Sequence, residues 1–176
     1  MRRFFAALLI LLMLCPSCYA QEPQPAPHGW VYMAYTYGGI NFIVPEDTLL
    51  WDLSPSDRSM GIIMIGGNAD FTIQLRQFAP EVISVDAFKD KLLNEPTAQV
   101  KVNEKDGSTI VCYRNTAASA NSELFGIMLE GLDGNTYKIS IFTGESEAFD
   151  SDAKVWEIAQ IIADSVSLQV FSQWPI

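Results

Sequence analysis

Residues 106–114 read Asp-Gly-Ser-Thr-Ile-Val-Cys-Tyr-Arg, a turn dipeptide followed by a β-branched run. Residues 133–141 repeat the arrangement with Asp-Gly-Asn-Thr-Tyr-Lys-Ile-Ser-Ile. Glycine takes a positive φ without steric cost, so Asp-Gly between apolar segments is typical of a hairpin turn. The residues before each turn alternate in polarity: Ala98, Val100 and Val102 before the first, and Phe125, Ile127 and Leu129 before the second. The two stretches therefore predict consecutive antiparallel hairpins.

Helices are predicted on the outer sides of these hairpins. Before them, Ser84 is placed as an N-cap and Asp86 lies in the first turn, which predicts a helix over about 84–94. After them, Asp150 and Ser151 open an apolar-striped segment that predicts a helix over 151–165 and a short strand at 167–170.

The beginning of the domain is predicted to form strands. Segments 31–37 and 40–44 flank Gly38-Gly39, which predicts a hairpin with a two-residue turn, and strands are expected at 60–65 and 71–76. The order hairpin, strands, helix, hairpins, helix predicts the α+β class, with a single antiparallel β-sheet flanked by two main helices.

The layout resembles a known superfamily. The segments that carry the resemblance are Gly-Ile-Asn-Phe-Ile-Val-Pro-Glu at 39–46, Asp-Phe-Thr-Ile-Gln-Leu at 70–75, the two Asp-Gly segments quoted above, and Ile-Ala-Asp-Ser-Val-Ser-Leu at 162–168. In this order they look like the superfamily named for the photosystem accessory protein PsbP, over about residues 38–170. The resemblance implies a layered antiparallel sheet between helices, and its bacterial members are often exported small proteins or lipoproteins of unknown role. Turn glycines and core apolar residues carry it, so it transfers no functional residue.

The N-terminus predicts export. Arg2 and Arg3 precede an apolar run over 4–14, and small residues follow, so residues 1–20 are interpreted as a secretory signal peptide with cleavage after Ala20. Cleavage after Ser17 would instead leave Cys18 first, as in a lipoprotein, and both alternatives stay open. Lipid on Cys18 is the one membrane attachment that we expect.

A proline-rich tether is predicted behind the signal, over residues 21–29, and a single globular domain over 30–176. The chain has 176 residues, 49% of them hydrophobic and 18% charged, which is a globular composition. Its formal net charge is -10, and it contains no basic run. Nucleic acid is therefore not expected as a partner, because the counterion-release contribution to binding is missing.

Familiar catalytic patterns are absent from the sequence. The single histidine, His28, lies in the predicted tether, where no packed shell orients a base or a metal ligand. No phosphate-binding or dinucleotide glycine motif occurs, and we expect no cofactor. Cys112 is the one thiol of the predicted domain, and its β-branched surroundings predict that it is buried and slow to react.

Two groups of residues are candidates for binding. Glu145, Glu147, Asp150 and Asp152 form an acidic cluster that could hold calcium weakly, although the two aspartates also suit a helix N-terminus. Aromatic side chains are dense at the start of the domain and could form a binding surface: Trp30, Tyr32, Tyr35, Tyr37 and Trp51. In an alternating strand, half of such residues face the core instead.

The sequence predicts an exported, envelope-associated binding or accessory protein with no recognisable catalytic machinery. Its expected partner is an envelope protein or a small ligand, neither of which the sequence identifies. The alternatives are a hydrolase that uses carboxylates and a weak calcium-binding module. Two facing acids in a closed cleft would favour the hydrolase, and an open apolar or aromatic surface would favour the binding protein.

Overall fold

The computed structural model describes residues 25–105, 107–116, 123–143 and 150–169, the side chains of 150–152 excepted. The helices of this part of the chain are α1 (Pro55–Ser59), α2 (Val85–Leu93) and α3 (Asp150–Ser165). Its strands are β1 (Trp30–Tyr35), β2 (Ile40–Pro45), β3 (Leu49–Leu50), β4 (Ile62–Gly67), β5 (Phe71–Phe78), β6 (Ala98–Lys105), β7 (Ser108–Asn115), β8 (Glu123–Glu130), β9 (Thr136–Thr143) and β10 (Ser167–Leu168).

The strands form two sheets. One has three strands in the order β1-β2-β10, and the other has seven in the order β3-β4-β5-β9-β8-β7-β6. Neighbouring strands are antiparallel throughout. The α+β class is confirmed, but the prediction of a single sheet flanked by two helices is wrong, because the described residues form two sheets and three helices. The first hairpin pairs with β10 and not with the larger sheet.

The two Asp-Gly hairpins are confirmed. Gly107 and Gly134 have φ angles of +77° and +78°, the left-handed conformation that the turns require. Both longer predicted helices are confirmed as well. Ser84 caps α2 by accepting a hydrogen bond of 3.2 Å from the backbone N–H of Ala87.

The turn between β1 and β2 differs from the prediction. It spans four residues, 36–39, and not two, and the N–H of Gly39 donates to the carbonyl of Thr36 at 3.2 Å. A Cβ at Gly38 would lie 2.8 Å from the Tyr137 ring, and one at Gly39 would overlap Leu132. These glycines therefore let the first turn pack closely against the turn between β8 and β9.

Tyr137 lies at this junction. Its side chain is fully buried, with Gly38 on one side and Gly131 on another, where a Cβ would lie 2.5 Å from the ring. The hydroxyl donates to Asp133 Oδ2 at 2.6 Å, and the Tyr35 ring lies 5.6 Å away between centroids. Burial and the neighbouring Asp133 carboxylate raise the pKa of this hydroxyl, which stays protonated as a donor.

The main core lies between the seven-stranded sheet, β2 and α3. Helix α3 packs mainly against β2, β8 and β9, and its buried stripe consists of Val155, Ile158, Ala159, Ile162 and Ala163. A second, smaller core lies on the other face of the seven-stranded sheet, where Val85 and Leu92 of α2 cover Val111 and Met128. The sheet is thus covered by different elements on its two faces.

Helix α1 was not predicted from the sequence. It buries no residue, so apolar periodicity gives no signal for it. Its signal is the capping box, in which Ser54 accepts a hydrogen bond from the N–H of Asp57 and the Asp57 carboxylate accepts one from the N–H of Ser54. Among the described helices, none has the length and apolar character needed to cross a membrane.

Replacing Asp133 by Asn is expected to destabilise the protein by about 1 kcal/mol near neutral pH, because the buried Tyr137 hydroxyl loses a charged acceptor. Burial acts to raise the pKa of Asp133, but hydrogen bonds from Tyr137 and Asn135 outweigh it and lower the pKa below 3.8. The stabilisation is therefore present above about pH 4 and is lost as the pH falls through the folded-state value. Urea unfolding at pH 6, 4 and 3 should show the wild type and D133N converging on the acid side.

The exposed neighbour Glu130 provides the control, because E130Q removes a carboxylate at the end of β8, just before the turn that contains Asp133. A constant difference between D133N and the wild type across this pH range would contradict the assignment.

Candidate binding groove

A groove of about 280 Å³ runs between α3 and strands β6 and β7. The residues that line it come from three strands and one helix: Gln99, Val100, Lys101, Asn103, Cys112, Tyr113, Phe125, Trp156, Gln160, Ala163 and Asp164. Its volume is at the lower end of the range for small-molecule sites, so it suits a small ligand or one or two side chains of a partner.

The groove follows from where α3 lies. The helix covers mainly β2, β8 and β9, and the sheet continues past it into β7 and β6. The register pairs Lys101 with Cys112 and Gln99 with Arg114, so these residues share the face on which the helix lies. Trp156, Gln160 and Asp164 of the helix form the opposite wall.

Cys112 forms part of the floor. It is a free cysteine and 4% exposed, which confirms that it is buried. Burial raises the pKa of its thiol from 9.0 to about 11, although Lys101 acts in the opposite direction. A protonated thiol is a weak nucleophile, and no histidine lines the groove. This floor is apolar in character.

Aromatic rings form one wall. The Phe125 and Trp156 rings meet edge to face, with centroids 5.2 Å apart and planes at 76°. The guanidinium carbon of Arg114 lies 4.7 Å from the Trp156 ring centroid, which is a cation–π geometry. Arg114 Nε is buried and has no hydrogen-bond partner in the part of the chain that the structure describes. Arg114 does not itself line the groove, so the wall is ring surface with a cation packed on Trp156 behind it.

Charged side chains lie at the rim of the groove. Lys101 Nζ lies 3.7 Å from Asp164 Oδ1, and Lys105 Nζ donates to the backbone carbonyl of Asp164 at 3.1 Å. Side chains of Lys101 and Asp164 are 67% and 69% exposed, so their ion pair contributes little to stability. Asp164 is the one carboxylate residue in the lining. Lys101 is thus available to a ligand at little cost.

The lining is suited to binding. Gln99, Asn103 and Gln160 offer amide donors and acceptors, and Trp156 and Phe125 offer apolar surface. The described residues contain no group of three or more side chains that could hold a metal ion. Two facing acids, which a carboxylate hydrolase requires, are not found in this groove.

A second cavity of about 220 Å³ does contain two carboxylates, Asp86 and Glu130. Both residues are exposed, and Asp86 pairs with Lys89 at 2.6 Å. Neither lies in a closed cleft of apolar side chains. This cavity therefore gives the hydrolase alternative little support.

A polar cluster lies on the α2 face of the sheet. Glu123 accepts hydrogen bonds from the hydroxyls of Tyr113 and Ser140, the latter at 2.7 Å, and Lys138 Nζ lies 2.7 Å from its Oε2. Gly126 lies beneath the Tyr113 ring, where any Cβ would overlap it. Since the Glu123 carboxylate has these partners already, we interpret the cluster as a link between β7, β8 and β9.

The predicted aromatic surface is distributed over two parts of the fold. Trp30 and Tyr35 pack against the main core, and Tyr35 and Tyr37 have ring centroids 5.8 Å apart. Tyr37 is 82% exposed, Trp51 follows β3 at the edge of the seven-stranded sheet and is 45% exposed, and Tyr32 is partly buried. A binding role for these aromatic residues stays a prediction.

The remaining predicted sites lie wholly or partly outside the described residues. Glu145, Glu147 and Cys18 belong to segments that the structure does not describe. Asp150 begins α3 and Asp152 lies in its first turn, in agreement with a helix-terminus role for their positions, while their side chains are not described.

Sequence reasoning did not identify the groove. Gln99, Lys101 and Asn103 alternate with the apolar residues of β6 and were visible only as a polar strand face. Their relation to Trp156 and Gln160 depends on the position of a helix that lies about 55 residues later in the chain. The one signal for the groove in the sequence was Trp156, a large aromatic residue beside the apolar stripe of the predicted helix.

Comparisons with known proteins support the fold. No protein-family model matches the sequence, and no curated protein matches it either. Among solved structures, the chain is similar to the solution structure of cyanobacterial PsbP (CyanoP) from Synechocystis sp. PCC 6803, with a TM-score of 0.55 and 12% identity. The match covers 83% of this chain and 96% of that chain. It shows a PsbP-like fold, as the resemblance in the sequence had indicated.

Cys112 is expected to react slowly with a thiol reagent in the native protein. At pH 8, a pKa near 11 leaves about 100-fold less thiolate than a pKa of 9 does, and burial restricts access further. Labelling of residues 21–176, in which Cys112 is the one cysteine, with a chromogenic disulfide should therefore be at least about 100-fold slower than labelling in urea. K101Q should slow it further, since Lys101 lowers the pKa, whereas equal rates in native and unfolded protein would contradict a buried thiol.

Proposed function

We propose that this PsbP-like protein is an exported binding or accessory protein of the cell envelope that holds a partner in the groove between α3 and β6–β7. The observation that carries the proposal is the composition of the groove: an aromatic wall, amides and one exposed lysine above a protonated thiol. Such a lining can bind through apolar contact and hydrogen bonds, and it offers no activated nucleophile.

The fold supports the same reading in a coarser way. A PsbP-like α+β fold is consistent with an accessory or binding role, and the comparison structure is itself named as a PsbP. Export is supported by the N-terminal sequence, with its two arginines and apolar run. The hydrolase alternative has no comparable support among the described residues, and the acidic side chains of the calcium alternative lie outside them.

Export is tested by producing the full chain in a bacterial host and determining the mass of the mature protein. We expect a mature chain that begins at Gln21, or at a lipid-bearing Cys18, in the envelope fraction. The two products differ by the lipid mass and the residues between the cleavage sites. An intact N-terminus on cytosolic protein would contradict export.

The groove is tested by filling it. Gln160 is an exposed residue of the lining, so Q160W should block the groove without disturbing the core. Ala153 is exposed on the same helix and lies outside the lining, so A153W is the matched control. We expect Q160W, and not A153W, to lose envelope components captured by the wild type in a crosslinking experiment analysed by mass spectrometry.

Equal capture by Q160W, A153W and the wild type would overturn the groove as the binding site. Unfolding curves of both variants establish that a loss of capture does not reflect a loss of folding.

A further inference from the structure

Strand β6 forms an edge of the seven-stranded sheet, and the groove opens beside it. In the part of the chain that the structure describes, β6 pairs with β7 and ends the sheet. It is eight residues long and contains no proline, and its register with β7 runs unbroken from Ala98 to Lys105. Such an edge presents unpaired backbone groups to which another extended segment can bind.

The two faces of β6 differ in chemistry. Lys101 and Lys105 share the groove face with Arg114, because the register places Gln99 opposite Arg114 and Lys101 opposite Cys112. Asp164 is the described carboxylate that these cations contact, and Lys105 reaches only its backbone carbonyl. This face therefore carries a local surplus of positive charge in a chain whose net charge is -10.

The other face is apolar at Val100 and Val102 and has one exposed carboxylate, Glu104. Val100 packs against the α2 core, Val102 is 41% exposed, and Leu93 at the end of α2 is 62% exposed. Glu104 also lies on this face, where its carboxylate accepts a hydrogen bond from Thr109 at 3.0 Å. A strand added to β6 would thus meet cations on one side and valines on the other.

The charges and apolar residues of β6 determine which kind of strand can pair with it. Residues that lie opposite each other in an antiparallel pair share a face, so acidic residues opposite Lys101 and Lys105 and apolar residues opposite Val100 and Val102 are favoured. A second copy of this chain is a poor occupant, because antiparallel pairing of β6 with itself brings lysines together on one face.

We propose that β6 is the docking edge for an extended segment of a partner protein in which acidic and apolar residues alternate. The segment extends the seven-stranded sheet, and its acidic side chains enter the open side of the groove. This inference rests on the proposed function and specifies the chemistry of the partner.

The test uses synthetic peptides and the full-length mature protein. The first peptide, Glu-Thr-Thr-Val-Glu-Ile-Thr-Val, places glutamates opposite Lys105 and Lys101 and apolar residues opposite Val102 and Val100. A second peptide has lysine in place of both glutamates. A third has the same composition in the order Glu-Thr-Val-Thr-Glu-Thr-Ile-Val, which places the glutamates and two of the apolar residues on the same face in any register. Fluorescence anisotropy should show the first peptide binding about tenfold more tightly than either control.

Protein variants test the same contacts from the other side. K101E/K105E should weaken binding of the glutamate peptide about tenfold and favour the lysine peptide. Arg58 and Lys91 are exposed cations of α1 and α2, outside this face, so R58E/K91E is the control with the same charge change. An equal effect of R58E/K91E and of the β6 variant would overturn the proposal.

Backbone methylation distinguishes strand addition from binding by side chains alone. N-methyl groups on alternate peptide residues should abolish binding when those amides face β6 and leave it nearly unchanged when they face away. Equal binding of the two methylated peptides would overturn strand addition. Dimerisation of the protein that K101E/K105E removes would also overturn it, in favour of a second copy as the occupant.

The outcomes separate this inference from the proposed function. If no peptide binds while Q160W still abolishes envelope capture, the docking edge is wrong and the groove stands. If Q160W leaves capture unchanged, the proposed function fails, whatever the peptides do.

Discussion

The burial of one tyrosine constrains much of this structure. Tyr137 has no exposed surface, so its hydroxyl must find a partner inside the protein, and Asp133 supplies it from the turn that precedes β9. The ring fits only because Gly38 and Gly131 have no side chains. The turn between β1 and β2 is thereby held against the turn between β8 and β9. As a result, the two sheets can share one core.

The position of α3 follows from this arrangement. With β2 drawn over the larger sheet, the helix packs on β2, β8 and β9, and its buried stripe completes the core. The strands beyond it are left with a partly covered face, and that remainder is the groove. The candidate site is therefore a consequence of how the sheets are joined.

Local features of the fold were predictable, and long-range ones were not. Asp-Gly turns and alternating polarity predict the hairpins, because turn chemistry and strand faces are set by neighbours in sequence. Ser84 predicts the start of α2 because an N-cap also acts on residues close to it in sequence. The pairing of β2 with β10 joins Asn41 to Ser167, and no local pattern indicates it. The groove and the Glu123 cluster share this origin, since each collects residues from separate strands whose order in the sheet the sequence does not state.

The pairing of β2 with β10 also bears on when the molecule can fold. The first hairpin is made early, but its third strand and the helix that covers it come from residues 150–168, near the end of the chain. Contacts between such distant segments form late, because the intervening chain must first be ordered. A chain that emerges N-terminus first would therefore present β1 and β2 before the segments that complete and cover their sheet. This part of the fold would wait until residues 150–168 are also available.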